Sequence, residues 1–111
     1  MYIPDNWVIV RIAQPDELIY KLLVGWSGGY LYGDSWRINS GITKVEEDGN
    51  NILFSSYSGS LYHCRKNAEG LRSNCSHILN HLQQQLPNKV GLINYSDFLK
   101  EFNGEILQNL K

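Results

Sequence analysis

Cysteine is scarce in this chain, long apolar runs are missing and neither sign of charge predominates, and each of these excludes something. Two cysteines, Cys64 and Cys75, among 111 residues are too few for the disulfide framework that staples small secreted domains. Both are therefore expected as reduced thiols. No apolar run approaches the roughly 20 residues that a helix needs to cross a bilayer. The first one, Trp7 to Ile12, already contains Arg11 and has no basic region in front of it, so no export signal is expected. A cytoplasmic, soluble protein follows as the expectation, with no membrane partner.

Ten Lys and Arg against eleven Asp and Glu leave a net charge of −1. Such a balance gives no broad positive field, so nucleic acid is not expected as a partner. The local cluster Arg65, Lys66 and Arg72 reads as ordinary solvated surface. Low-complexity segments and internal repeats are lacking too.

What is present is the composition of a folded domain, 42% hydrophobic and 19% charged, with seven tyrosines and three tryptophans to fill a small core. The length suits a single domain over residues 1–111, strand-rich across 1–66 and helical across 67–111. Trp7–Ile12 is β-branched and reads as a first strand, closed by a turn at Pro15-Asp16. Leu18–Trp26 is apolar enough to be a strand buried on both faces. Short strands follow over Tyr30–Tyr32, Ser35–Asn39, Ile42–Glu46, Ile52–Ser56 and Leu61–Arg65. Gly28-Gly29, Gly33-Asp34, Asp48-Gly49 and Ser58-Gly59 supply the turns.

The period then changes. Leu71, Cys75, Ile78, Leu79, Leu82 and Leu86 share one stripe at about 100° per residue, an amphipathic helix stopped by Pro87. Val90–Ile93 reads as a short strand. Ser96 is placed to cap a second helix carrying Phe98, Leu99 and Phe102, with Ile106, Leu107 and Leu110 continuing its apolar spacing. Short turns imply antiparallel neighbours. The expected fold is thus α+β: an antiparallel meander, as a curled sheet or small partly open barrel, with two C-terminal helices packed on one side.

Three partial signatures of chemistry occur. Gly25-Trp26-Ser27-Gly28-Gly29 matches the pattern of a nucleophile elbow after a strand, which would make Ser27 a nucleophile. The residues that follow read as strand where the elbow needs a helix, and no spacing supports His63 or His77 with Asp34 as base and acid. His63, Cys64, Cys75, His77 and His81 invite a zinc reading, since His77 and His81 share a helix face. Cys75 lies about 200° around the axis from His77, which keeps the larger set apart.

Gly91, Ile93, Asp97 and Phe98 form the third. They resemble the second half of an EF-hand loop and the start of its exiting helix, over about 30 residues counting the preceding helix. The resemblance implies a calcium site, with Gly91 at the sharp turn and Asp97 closing the shell. Leu86, Asn88 and Val90 then fall where that family places oxygen ligands, and two of the three have no side-chain oxygen. No metal and no cofactor is expected.

Trp26, Tyr30, Tyr32 and Trp36, interleaved with glycine and serine, form the least ordinary stretch. Ser55–Ser60, centred on Tyr57, has the same character. Rigid aromatics among small residues are the composition of recognition loops. The expected function is a small, non-enzymatic binding or regulatory module that contacts another protein through Trp26, Tyr30, Tyr32, Trp36 and Tyr57. The alternative is a zinc-binding or small hydrolytic protein using His77 and His81 or Ser27. A monomer and a homodimer are both compatible with the sequence, because edge strands of a small meander can pair between chains.

Overall fold

The computed structural model of the chain describes residues 1–28 and 35–108. Tyr30, Tyr32 and Leu110, all assigned places in the sequence reading, lie outside the described residues. The elements run β1 (Asn6–Ala13), β2 (Leu18–Trp26), β3 (Ser35–Ile38), β4 (Ile42–Asp48), β5 (Asn51–Ser56), β6 (Leu61–Arg65), α1 (Ser73–Gln85), β7 (Val90–Ile93), α2 (Tyr95–Glu101) and β8 (Glu105–Gln108). A single 3₁₀ turn, Lys66–Ala68, follows β6.

The strands form two sheets, and the sheets do not close into a barrel. Their orders are β3-β2-β1-β7 and β6-β5-β4-β8. Each sheet is a three-stranded antiparallel meander extended by one late strand beside its first strand. β7 joins β1 antiparallel, whereas β8 joins β4 in parallel. The α+β class, the meanders and both helices agree with the sequence reading.

Hydrophobic periodicity decides the layers. On one face of β1 and β2, Trp7, Ile9, Tyr20, Leu22 and Val24 pack against Ile42, Val45, Ile52, Phe54, Tyr62 and Cys64 of the second sheet. Tyr95 and Phe98 of α2 wedge into the same core. On the opposite face, Val8, Val10, Ile12 and Leu23 meet Cys75 and Leu79 of α1. The first sheet is therefore covered on both sides, which is why β2 is buried without interruption from Leu22 to Gly25. β5 alternates strictly instead, with Ile52, Phe54 and Ser56 inward.

Three details depart from the sequence expectation. Asn94 caps α2, its side chain accepting the Asp97 amide at 2.8 Å, so Ser96 lies within the first turn. Leu71 precedes α1 and Leu86 follows it, leaving Cys75, Ile78, Leu79 and Leu82 as the stripe. Ile106 and Leu107 do not continue a helix but belong to β8. The Asn103-Gly104 break redirects the chain, and Gly104 lies so close to β4 that a Cβ there would stand 2.8 Å from the Thr43 carbonyl oxygen.

Candidate functional site

A surface groove of about 540 Å³ lies at the rim where the two sheets meet. Three connections build it: the β1–β2 turn with Asp16 and Glu17, the β5–β6 turn with Tyr57, and the α2–β8 loop with Phe102–Gly104. Leu18, Ile19, Tyr20 and Ile42 line it between them.

Tyr57 is fixed in place although it is 73% exposed. Its amide donates to the Gly41 carbonyl at 3.1 Å, and its ring edge comes so close to Gly41 that a Cβ there would stand 2.8 Å from Cδ2. Gly41 also has φ +132, a conformation that side chains rarely adopt. The glycine is thus doubly required: by the backbone passing from β3 to β4, and by the ring edge set against it. Asn39, buried just before, holds the same passage by accepting the Leu22 amide at 2.8 Å and the Gly41 amide at 3.2 Å.

At the inner end of the groove Glu101 gathers two donors. Its Oε1 accepts the Tyr20 hydroxyl at 2.7 Å and the Arg11 Nε at 2.7 Å. Arg11 and Tyr20 are cross-strand partners, so the register of β1 and β2 aims both at α2. Burial and then the bond to Glu101 push the Tyr20 phenol above its ordinary pKa, with Arg11 opposing them. Asp16, Glu17 and Glu101 make this rim acidic, and no lysine or arginine is among its lining residues.

The aromatic residues singled out from the sequence are divided by the fold. Trp26 is half-buried; its Nε1 donates to the Ile3 carbonyl at 2.8 Å, and its ring meets Tyr2 at 6.2 Å between centroids. It therefore pins the N-terminal segment. Trp36 pairs across the ladder with Gly25, not with Trp26, and so shares the α1 face of the sheet. It stays 44% exposed, on an edge strand. Tyr57 stands near Ile19, seven residues along β2 from Trp26, which at about 3.3 Å per residue separates the two ends by roughly 23 Å. Sequence reading found Tyr57 but missed Asp16, Glu17, Tyr20 and Glu101. The signal available was the acid pair at the Pro15 turn, beside a strand end.

The chemical signatures find structural places. Gly25 serves close approach: an added Cβ would lie 2.7 Å from the Asn74 side-chain carbon at the start of α1. Asn74 itself donates to Asn6 at 3.1 Å in the buried layer below. Ser27 is exposed, and its amide donates to Asp5 Oδ2 at 2.8 Å. His77 and His81 project from α1 into solvent.

Cys64 and Cys75 are buried on opposite sides of the first sheet, and burial pushes both thiols up, away from the thiolate form that attacks or ligates. Among the described residues no three His, Cys, Asp or Glu side chains converge on a point that could hold a metal ion. Gly91 lies within β7, paired to Arg11, and Asp97 puts a negative charge in the first turn of α2 beside Lys100. Also among the described residues, no helix is long and apolar enough to cross a membrane.

No family model, curated protein or solved structure matches the chain.

Proposed function

We propose that the chain is a small non-enzymatic module that contacts another protein through aromatic side chains of its first half. One observation carries the reading: Trp36 and Tyr57 remain exposed at 44% and 73%. Trp36 stands opposite Gly25 in the β2–β3 ladder, and Tyr57 sets a ring edge against Gly41. An exposed aromatic ring offers a large contact area and, with only two side-chain torsions, loses little freedom on binding, which is the property that favours Trp and Tyr in protein interfaces.

The test is affinity capture with the tagged protein, read by native mass spectrometry, beside Trp36→Ala and Tyr57→Ala. The expected result is a captured protein mass that is lost or reduced in at least one variant, while both variants keep the parent's melting temperature within a few degrees. Undiminished capture by both folded variants would overturn the reading.

A further inference from the structure

Tyr57 sets one ring edge against Gly41 and is 73% exposed where it lines the groove, whose rim carries Asp16, Glu17 and Glu101. Arg11, the cross-strand partner of Tyr20, is already engaged by Glu101 at 2.7 Å. The groove thus combines an exposed aromatic ring, apolar side chains of Leu18 and Ile42, and acidic groups without a cation among the lining residues. Each part suits a different portion of one side chain. A guanidinium stacks on an aromatic face and pairs with carboxylates in its own plane, and its three-carbon stem covers apolar surface.

Resting on the protein-binding reading above, we infer that this groove receives an arginine-bearing extended segment of the partner protein. The arginine lies against the exposed ring of Tyr57 with its charge toward Asp16 and Glu17, and flanking residues cover Leu18 and Ile42. An acidic or phosphorylated segment meets like charge at the same rim. A nucleic acid is disfavoured for the same reason.

The probe is a fluorescein-labelled peptide Gly-Leu-Arg-Leu-Arg-Gly, compared with the same peptide carrying uncharged citrulline for arginine. Binding is followed by anisotropy and by amide chemical shifts of the intact chain. The expected result is shifts centred on residues 16–20, 41–43 and 57 with the arginine peptide, and at least a fivefold weaker response with citrulline. Exposed cation–π contacts and rim ion pairs are each of modest strength, so Tyr57→Ala and Asp16→Asn/Glu17→Gln should each weaken binding about threefold to fivefold. Only the carboxylate variant should lose the salt dependence.

Equal binding of the citrulline peptide, or shifts confined to other surfaces, overturns the inference. Spermine bound as tightly as the peptide at the same amides also overturns it, in favour of a small polycation. Partner capture that is lost in Trp36→Ala yet unchanged in Asp16→Asn/Glu17→Gln removes the groove assignment and leaves the protein-binding reading standing. Capture unchanged in all these variants removes both.

Discussion

The two sheets share a plan and differ in cover. Orders β3-β2-β1-β7 and β6-β5-β4-β8 are the same arrangement, a meander with a late strand beside its first member. The first sheet lies between α1 and the second sheet, so residues of both parities along β1 are buried. The second has one buried face; its other face carries the cross-strand row Leu107, Glu46, Leu53 and His63. The difference teaches that strand sequence reports the number of covered faces rather than position in the chain. A continuous apolar run marks β2, whereas β4 and β5 place a polar or half-exposed residue at nearly every second position.

Substitutions can break this comparison. The largest effect is expected for Trp7→Ala, at the centre of the sandwich. It removes a fully buried ring packed on Phe54 and an indole donor to the Arg65 carbonyl at 2.8 Å. The loss should be about 3–5 kcal/mol in denaturant unfolding. Gly25→Ala comes next. It pushes a Cβ into Asn74 and disturbs the buried Asn6–Asn74 pair, for about 1–3 kcal/mol and a loosened α1 seen as faster amide exchange.

Glu47→Gln sharpens the comparison at the half-covered sheet. Burial raises the Glu47 carboxyl, but Lys66 at 2.6 Å and Gln108 at 2.9 Å outweigh it, holding the pKa below the ordinary 4.5. A lowered folded-state value contributes stability that is present above pH 4.5 and lost as pH falls through the folded value. The variant should therefore be less stable at pH 7, by under about 1 kcal/mol, with the gap closing below pH 4.5 in a pH series of melts. Leu53→Ala, on the uncovered face, should cost least, about 0.5 kcal/mol or less. A loss there as large as that of Leu23→Ala, which leaves a hole in the covered sheet at about 2–5 kcal/mol, would mean the outer face is covered in solution.

Strands, hairpins and the stripe of α1 were legible because their signals are local. Gly49, with φ +62, and Gly59, with φ +89, sit where the turn residues placed them. The division into two sheets was not legible. Asn39-Ser40-Gly41 reads like any other turn, yet it carries the chain from one sheet to the other, and only the buried Asn39 bonds reveal the difference. The face taken by Trp36 was equally hidden, because pairing with Gly25 is set by the connection between β2 and β3 and not by the alternation of either strand.

Strand β8 deceived for a further reason. Ile106 and Leu107 fit a helical stripe, and their parallel partners on β4 are some 60 residues away. Of the candidate site, Tyr57 was visible as an aromatic among serines. Asp16, Tyr20 and Glu101 were invisible as a group, since Glu101 on α2 lies 81 residues beyond Tyr20 and only the fold brings the helix to the β1–β2 turn.

The late strands carry a consequence for how the molecule is made. β7 closes on β1 and β8 on β4, with α2 between them filling the interior, so residues 90–108 lace one sheet to the other. During synthesis each meander can pair as it emerges, but neither sheet gains its fourth strand until this stretch has left the ribosome. Assembly of the sandwich therefore waits on residues 90–108 and on contacts between strands some 60 to 80 residues apart, the topology that makes folding slow.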